Sequence, residues 1–381
     1  MPVKVGLVGC GSVSQRGILP HLSQDDVRDR LRLTAVCDVV AERAEACKGR
    51  FNADRHYDDY DQMLSEAGLD AVTIATPTQL HYEQALKAMR AGVNVHLNKP
   101  MALTLNEADD LLEGRDKAGV KLVVSPGTAL HNDVLRARAL LGEGIVGKVY
   151  WARSGATSEG HESEEFRRSG DAVTAVDPTW YYRMGGGPLY DMGVYALHLI
   201  TGVLGPAKRV MALSGIGLGH RDVLGKEVKV EMDDNTVMLL DFGDAIFAML
   251  HSSFCSGDGE PFSRLHVAGR AGALELGHGK LEVWGSRVSG WHRVEGLPRA
   301  LPYVSGVHLK IEEAHIFSDI MHLVDCIAND KTPAISGEHA RHVVEIIERA
   351  YLSAKGGSAQ ALTTTFQLGV LREGQFSEGQ G

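Results

Sequence analysis

Three side chains able to bind or exchange protons follow a glycine triplet, and their spacing predicts a polar row on one helix. After Gly185–Gly187, Pro188 suits a first helical turn, and Asp191, Tyr195 and His198 then fall at positions i, i+4 and i+7. A carboxylate, a phenol and an imidazole on one stripe are suited to general acid–base chemistry and to substrate binding. These residues would also be ordinary on a water-exposed helix, but the preceding glycines indicate close backbone packing.

A lysine that follows a short strand is a second candidate for proton transfer. The predicted strand Val93–Leu97 is followed by Asn98, Lys99 and Pro100. A side chain at the carboxyl end of a parallel strand lies where ligands of doubly wound sheets bind. Because an unperturbed lysine has a pKa of about 10.4, Lys99 needs partial desolvation or a nearby positive charge to act near neutral pH. Taken alone, a Lys–Pro pair is most often a turn.

A glycine-rich turn after the first predicted strand has the spacing of a dinucleotide-binding loop. The turn consists of Gly9, Cys10, Gly11, Ser12, Val13 and Ser14. Gly9 permits the tight turn, and Gly11 lets backbone N–H groups approach a pyrophosphate at the positive end of the following helix. Ser14 occupies the position of the third small residue. Glycines that end a strand for steric reasons alone are the simpler interpretation of this motif.

A carboxylate at the end of the second strand strengthens the dinucleotide interpretation. Asp38 follows the strand Leu31–Val36, roughly 20 residues beyond the turn, where an acid binds the ribose hydroxyls of NAD. The alternative interpretation is that Asp38 caps the next helix. Because a carboxylate repels a 2′-phosphate, the sequence favours NAD over NADP, although Arg43 leaves the choice open.

The first third of the chain alternates strand and helix patterns, which is typical of a parallel sheet with right-handed crossovers. The predicted strands are Val3–Val8, Leu31–Val36, Ala71–Ala75, Val93–Leu97 and Lys121–Val124. The predicted helices are Ala41–Gly49, Tyr57–Ser65, His81–Arg90 and Asn106–Lys117. The pattern stops at Ser125, so we predict an α/β, doubly wound Rossmann domain over residues 1–125.

The rest of the chain predicts an α+β domain over residues 126–360 and a C-terminal tail over 361–381. Closely spaced strand patterns with turn residues between them indicate antiparallel hairpins. These strands are Arg209–Leu213, Val228–Val230, Thr236–Asp241, Ile246–Ser253, Arg264–Ala268 and Ala273–Leu276. The helices are Asn132–Leu141, Pro188–Leu204, His315–Ala328 and Glu338–Ala354. From Glu373 onward the tail is rich in Gly, Ser and Gln, so we expect it to fray.

Composition excludes several classes of protein. The 381 residues are 44% hydrophobic and 23% charged, with a net charge of −10 and no basic stripe for nucleic acid. No apolar run approaches the ~20 residues of a membrane span. Five scattered cysteines without a Cys-x-x-Cys pair indicate free thiols, and with no signal peptide we predict a cytoplasmic protein. The 17 histidines form no pattern with metal-ligand spacing, so no metal is expected.

Taken together, these motifs resemble the glucose–fructose oxidoreductase/inositol dehydrogenase (Gfo/Idh/MocA) family over about residues 3–355. The resemblance is carried by the glycine turn with Pro20 downstream, Cys37–Asp38, Thr76-Pro77-Thr78 with His81, Lys99-Pro100, and the block from Gly185 to His198. It implies a Rossmann domain and a second domain with an open-faced, mostly antiparallel sheet. It also implies dimers or tetramers formed through that sheet, and oxidation or reduction of a carbinol of a sugar or polyol with a nicotinamide cofactor.

Two departures from the family pattern affect the candidate site. The family usually has Glu-Lys-Pro, and Asn98 replaces the Glu, which removes a negative charge beside Lys99 and lowers its basicity. Tyr195 stands where members similar to inositol dehydrogenase carry His, as in the glucose–fructose oxidoreductase and dimeric dihydrodiol dehydrogenase branches, in which the phenol is the acid/base. His198 stands where inositol dehydrogenases often carry Asp.

The resemblance implies that Lys99 and Tyr195 converge on the reacting hydroxyl and that Asp191 hydrogen-bonds the substrate or Lys99. Cofactor contacts are expected from the glycine turn, Asp38, Asn98 and Lys99, with Thr76, Pro77, Thr78 and His81 on the nicotinamide side. Substrate contacts are expected from His198, Trp180 and Arg183, with the segment from Gly155 to Tyr182 as an active-site lid.

Two other functions fit the same fold. Some relatives keep NAD bound and cleave glycosides by transient oxidation and elimination, and the segment that begins at His161 could serve such a site. Others bind a dinucleotide only to regulate a partner, but a regulator needs no acid/base residues such as Lys99, Asp191 and Tyr195.

Overall fold

In the computed structural model the chain forms two units, each with its own sheet. The described residues are 1–162, 164, 176–257, 259, 261, 264–277, 279–285, 288–295 and 301–369. The first unit comprises Met1–Gly127, the described residues of 162–180, and Tyr303–Arg341. The second comprises Thr128–His161, the described residues of 181–302, and those from His342 onward. The chain first passes from one unit to the other after Gly127, and it crosses between them again at later points.

The first unit is built on a six-stranded parallel sheet. Its strands are β1 (Val3–Val8), β2 (Leu31–Cys37), β3 (Arg55–Tyr57), β4 (Ala71–Ile74), β5 (Asn94–Leu97) and β6 (Leu122–Val124). Their order is β3-β2-β1-β4-β5-β6, the doubly wound order in which ligands bind where the strand order reverses, beside β1. The central strands are buried along almost their whole length, as expected for a sheet covered on both faces.

Helices of the first unit connect or cover these strands. They are α1 (Leu19–Leu22), α2 (Ala41–Phe51), α3 (Tyr60–Glu66), α4 (His81–Arg90), α5 (Leu105–Ala118) and, much later in the chain, α8 (Ala314–Ala328). A capping box starts α5, because Thr104 accepts from the Glu107 N–H while Glu107 accepts from the Thr104 N–H. Gly119, at φ 65°, ends that helix in the left-handed conformation.

The second unit contains a nine-stranded, mostly antiparallel sheet. Its strands are β7 (Val149–Thr157), β8 (Arg209–Gly215), β11 (Asn235–Gly243), β12 (Ile246–Ser253), β13 (Leu265–Gly269), β14 (Gly272–Gly277), β15 (Lys280–Gly285), β16 (Val288–Arg293) and β17 (Gln360–Ala361). The order is β16-β15-β14-β13-β7-β12-β11-β8-β17, and β7 pairs with β12 in parallel. A separate hairpin is formed by β9 (His220–Val223) and β10 (Lys226–Lys229).

Helices cover one face of this second sheet. They are α6 (Asn132–Gly142), α7 (Val194–Leu204) and the last helix, α9 (Gly337–Gly356). Along β11 the residues alternate between buried and exposed, so that Met238 and Leu240 lie in the core while Val237 and Leu239 face outward. None of the helices described in either unit is long and apolar enough to cross a membrane.

The structure confirms the predicted fold class, with a parallel sheet followed by a mixed, mostly antiparallel one. Two groups of predictions lie wholly or partly outside the described residues. Of the predicted lid, residues 155–157 belong to β7, whereas Ser163 and 165–175 are not described. Residues 370–381, which include the predicted frayed tail, are not described either.

Candidate active site

The glycine turn follows β1 directly and leads into a π-helical turn, Ser14–Ile18. Gly9 has φ 93°, and a side chain there would come within 2.7 Å of the Ala75 carbonyl oxygen, so the turn requires glycine. Among the described residues, an added Cβ at Gly11 would meet only Val176, at 4.0 Å, so these residues leave space beside it. Space at Gly11 therefore fits the close approach of a pyrophosphate to the backbone.

Polar side chains fix the shape of this turn. The Ser14 hydroxyl donates to the Gly9 carbonyl over 2.6 Å, and the Gln15 amide donates to the Cys10 carbonyl over 2.8 Å. The Arg16 guanidinium donates to the Ser12 hydroxyl over 3.0 Å. Serine at the third small position thus contributes a hydrogen bond that glycine or alanine could not supply.

Asp38 ends β2 and braces the glycine turn. One carboxylate oxygen accepts from the Cys10 N–H over 2.9 Å, and the other accepts from the Val40 N–H over 3.0 Å and from Arg43 over 3.1 Å. A carboxylate has about four acceptor positions, so these three bonds leave capacity for one ribose hydroxyl. Asp38 therefore supports the loop and can still bind a dinucleotide.

The loop that follows β4 contains Thr76, Pro77 and Thr78. The Thr76 hydroxyl donates to the Gln84 side chain over 2.6 Å, and Thr78 is 4% exposed. His81 begins α4 and is 1% exposed, with both ring nitrogens within 2.9 Å of backbone carbonyl oxygens. These contacts give the nitrogens of His81 a structural role within the loop.

Lys99 follows β5 and is partly exposed, beside a cis peptide bond to Pro100. Asn98 is 8% exposed, and its side-chain oxygen accepts from the Lys99 N–H over 2.8 Å. The Asn98 N–H donates to the Ile74 carbonyl of β4 over 3.0 Å. In place of the family Glu, the amide of Asn98 thus holds the lysine backbone without adding a charge.

In the second unit, the glycine triplet leads into a π-helical turn, Leu189–Gly193, that continues as α7. Gly187 has φ 85°, and a side chain there would approach the Asp233 carbonyl oxygen to 3.0 Å. Close packing therefore requires this glycine, as the sequence predicted. Asp191 and Tyr195, one turn apart, are both partly exposed at the start of the helix.

Asp191 has a partner that sequence reasoning missed in this role. The Asp191 carboxylate accepts from Nε2 of His161 over 2.8 Å, with side-chain exposures of 9% and 15% respectively. The His161 ring stacks on Tyr181 with centroids 3.8 Å apart, and its backbone N–H donates to the Tyr182 hydroxyl over 2.8 Å. Because a carboxylate only accepts hydrogen bonds, the proton of this bond is carried by Nε2.

A buried ion pair supports the segment that carries His161. Arg221 and Asp234 lie 3.3 Å apart, and each side chain is 1% exposed. Arg221 donates to the carbonyls of Glu159 and Phe254, and its guanidinium lies 5.1 Å from the centre of the Tyr182 ring. Glu159 lies two residues before His161, and the Tyr182 hydroxyl accepts from the His161 N–H. Arg221 therefore fixes the backbone around the His161–Asp191 pair.

The other predicted substrate residues differ in environment. His198 is 3% exposed, and burial, with His342 nearby, lowers its pKa to about 3. Trp180 is partly exposed and Arg183 is exposed. The structure thus places His198 in the core of its unit, in contrast to Asp191 and Tyr195 on the same helix.

Among the described residues, no group of three or more His, Cys, Asp or Glu side chains could hold a metal ion.

Comparison with protein families identifies the chain. Residues 3–126 match the model of the oxidoreductase family with an NAD-binding Rossmann fold, and residues 134–275 match the Gfo/Idh/MocA C-terminal domain. The chain belongs to the Gfo/Idh/MocA oxidoreductase family. Its N-terminal part is accordingly an NAD-binding Rossmann domain, which agrees with the glycine turn and with Asp38.

Two curated relatives of this Gfo/Idh/MocA protein are named as sugar dehydrogenases. The chain is 26% identical over 358 residues to D-apiose dehydrogenase of Paraburkholderia graminis, covering 93% of this chain and 88% of the relative. It is 28% identical over 260 residues to D-glucoside 3-dehydrogenase of Escherichia coli, covering 66% and 70% respectively.

Solved structures share the fold of this Gfo/Idh/MocA protein. Levoglucosan dehydrogenase in complex with NADH and L-sorbose has a TM-score of 0.79 at 18% identity, covering 96% of this chain and 100% of the other. Aldose–aldose oxidoreductase of Caulobacter crescentus has a TM-score of 0.75 at 20% identity, covering 95% and 100%. These likenesses support the two-sheet architecture.

Proposed function

We propose that this protein transfers hydride between NAD and a carbinol of a sugar, glycoside or polyol, with Lys99 and Tyr195 as its acid/base pair. The observation that carries the proposal is the polar start of α7, where the His161–Asp191 pair lies one turn from Tyr195. Such a hydrogen-bonded carboxylate beside a phenol suits a substrate that presents neighbouring hydroxyl groups. The names of the curated relatives support the same class of substrate.

The proposed reaction balances as follows. The substrate C–H bond breaks with its electron pair moving as hydride, the O–H bond releases a proton, and a carbonyl forms. NAD supplies the hydride acceptor when it is bound. Tyr195 takes the hydroxyl proton, and the Lys99 ammonium favours the phenolate form of Tyr195 electrostatically. Asp191, oriented by His161, accepts a hydrogen bond from a substrate hydroxyl that does not react.

We favour NAD over NADP as the substrate nucleotide. The Asp38 carboxylate, which accepts from the glycine turn, would repel a 2′-phosphate. The Arg43 guanidinium donates to Asp38 over 3.1 Å, so its charge is already compensated by this carboxylate. The remaining acceptor capacity of Asp38 suits a ribose hydroxyl.

We also propose that the protein is a homodimer or homotetramer formed through the outer face of the second sheet. That face carries large apolar side chains on the neighbouring strands β8, β11 and β12: Met211, Leu213, Val237, Leu239 and Phe247 are each 41–76% exposed. Leu239 pairs directly with Met211, and Val237 with Leu213, so the apolar surface is continuous across β8 and β11. Exposed patches of this kind mark association surfaces.

We keep the cytoplasm as the proposed compartment. All five cysteines are free thiols, and four of them are buried. Free thiols persist in a reducing environment.

A turnover experiment with matched controls tests the proposed function. Purified protein is mixed with NAD or NADP and a panel of aldoses, inositols and aryl glycosides, and nicotinamide reduction and aglycone release are followed together. General acid–base groups contribute about 10²–10⁴-fold, so Lys99→Ala and Tyr195→Phe should each lower kcat at least ~100-fold. Lys117→Ala, whose side chain is 72% exposed, and Tyr150→Phe, at 41% exposure, should not.

The same experiment separates the alternatives. Aglycone release without net nicotinamide reduction would replace the dehydrogenase by an NAD-retaining glycosidase. Turnover that survives both Lys99→Ala and Tyr195→Phe within a few-fold would reject the proposed acid/base pair. Binding of NAD with no turnover on the whole panel would favour a regulator.

A further inference from the structure

The ring of His81 links two loops of the cofactor-binding unit. Nδ1 lies 2.8 Å from the Pro100 carbonyl oxygen, and Nε2 lies 2.9 Å from the Thr76 carbonyl oxygen. Thr76 follows β4 and Pro100 follows β5, so the ring joins the loops at the carboxyl ends of two neighbouring parallel strands. With His81 only 1% exposed, both nitrogens are committed to backbone groups.

This link holds the backbone of Lys99 from its C-terminal side. The carbonyl bound by Nδ1 belongs to Pro100, the residue directly after Lys99. On the other side, the Lys99 N–H donates to the Asn98 side chain, and the Asn98 N–H donates to the Ile74 carbonyl of β4. Lys99 therefore lies between two anchors, one supplied by Asn98 and one by His81.

The protonation of His81 determines how many carbonyls it bonds. Burial lowers the pKa of His81; the carbonyls of Pro100 and Thr76 act in the opposite direction, and the charge of Lys99 lowers it further. His96 is the other titratable group that interacts with this ring, and burial lowers the pKa of His96 to about 3. The neutral ring has one N–H and donates to one carbonyl at a time, whereas the protonated ring has an N–H on each nitrogen and donates to both carbonyls.

We propose that His81 is a positioning residue for Lys99, and that it acts by tying the Lys99–Pro100 backbone to the Thr76 loop rather than by touching the cofactor. This inference rests on the proposed function, because it gives His81 a part in the work of Lys99. It replaces the expectation that His81 contacts the nicotinamide, since neither ring nitrogen is left for such a contact.

Competitive acetylation of lysines, quantified by peptide mass spectrometry, tests the proposal without a substrate. The acetylation rate of Lys99 is measured relative to that of Lys117, whose side chain is 72% exposed, in the same sample. His81→Phe keeps an aromatic ring but removes both nitrogens, and the relative rate of Lys99 should rise several-fold. His81→Gln, which keeps an N–H donor, should give a smaller rise.

Tyr82→Phe is the matched control, because this neighbour on α4 is partly exposed and its hydroxyl donates to Asp110 over 2.8 Å. It should leave the relative rate of Lys99 unchanged. Binding of ADP-ribose, measured by calorimetry, reports whether the Rossmann unit is folded, and wild-type affinity is expected for every variant.

An unchanged rate for Lys99 in a His81→Phe protein that binds ADP-ribose would overturn the proposal. The proposal would also be overturned if His81→Phe lost affinity for NAD but not for ADP-ribose while the acetylation rate of Lys99 stayed unchanged. That result would indicate that His81 contacts the nicotinamide directly. If His81→Phe does not fold, the same two criteria apply to His81→Gln. Failure of Lys99→Ala to reduce turnover would reject the proposed function instead, and it would leave the acetylation result unaffected.

Discussion

The carboxylate of Asp319 is buried in the first unit, and its ionisation should limit the stability of the fold near neutral pH. Asp319 lies on α8 and is fully buried. One oxygen accepts from the Ser125 hydroxyl over 2.7 Å and from the Gly127 N–H over 3.1 Å, while the other has no hydrogen-bond partner among the residues that the structure describes. Burial raises the pKa of Asp319 to about 7, against an ordinary value of 3.8.

The sign and size of the effect follow from proton linkage. Between pH 3.8 and about 7 the folded state binds more protons at Asp319 than the unfolded state, so the free energy of unfolding falls as the pH rises. A shift of about three pKa units corresponds to roughly 4 kcal/mol, since each unit is about 1.4 kcal/mol. Above pH 7 the carboxylate is charged in both states, and this loss of stability is complete.

Asp319→Asn removes the charge while its side-chain oxygen can still accept from Ser125 and Gly127. The amide N–H groups of the variant lack a partner, which reduces the stability gained by removing the buried charge by about 1–3 kcal/mol. We therefore expect the variant to be about 1–3 kcal/mol more stable than wild type at pH 8 and no more stable at pH 4. For a unit of this size, each kcal/mol raises Tm by about 2–4 °C.

Thermal unfolding followed by circular dichroism from pH 4 to pH 8 measures this difference. Asp330→Asn is the control, because the side chain of Asp330 is 99% exposed and it incurs no burial cost. A Tm difference between Asp319→Asn and wild type that does not change with pH would refute the reasoning, because the carboxyl would then not ionise in this range.

Two further predictions concern the second unit. Glu345 is fully buried and accepts from the N–H and hydroxyl groups of Thr363 and Thr364 over 2.6–2.8 Å. Glu345→Ala should therefore lower the free energy of unfolding by about 2–4 kcal/mol and expose the C-terminal segment to proteolysis. A change in the free energy of unfolding below ~0.5 kcal/mol would contradict this role. Leu239→Glu should convert the oligomer to a monomer in sedimentation experiments, whereas Val307→Glu on the first unit should not, and a monomeric wild type would rule out the proposed interface.

The fold of the first unit could be predicted closely because its signals are local. The predicted β1 and α4 have the bounds that the structure shows, since each alternation of apolar strand and amphipathic helix is bounded by turn residues. The three-residue strand β3 was not predicted, because a segment this short has no periodicity of its own. Its pairing with β2 comes from the sheet, not from its sequence.

The candidate site of the second unit could be predicted only in part. Asp191 and Tyr195 followed from their spacing on one helix, and the structure places both at its partly exposed start. The partnership between Asp191 and His161 joins residues 30 positions apart, and no periodicity relates them. Strand β7 ends at Thr157 and brings His161 to the end of the sheet where Asp191 lies. Predicting this strand would have placed the two residues together, but the strand was not predicted.

The environment of His198 differs from that of Tyr195 on the same helix. The expected stripe assumed about 3.6 residues per turn from Asp191 onward. The structure has a π-helical turn at Leu189–Gly193, and the wider i to i+5 bonding places about one extra residue in that turn. This turn rotates Tyr195 and His198 together relative to Asp191, and in the regular helix that follows these two residues, three positions apart, point about 60° away from each other. Tyr195 remains partly exposed, whereas His198 is buried.

A second π-helical turn, Ser14–Ile18, opens the helix after the dinucleotide-binding loop. Both turns thus occur where a glycine-rich segment enters a helix at a candidate site. In the first turn the Ser14 hydroxyl donates to the Gly9 carbonyl, and in the second the backbone of Gly193 packs closely against Ser252. Sequence rules that start a regular α-helix at such a segment will therefore identify the right residues and misassign the faces they occupy.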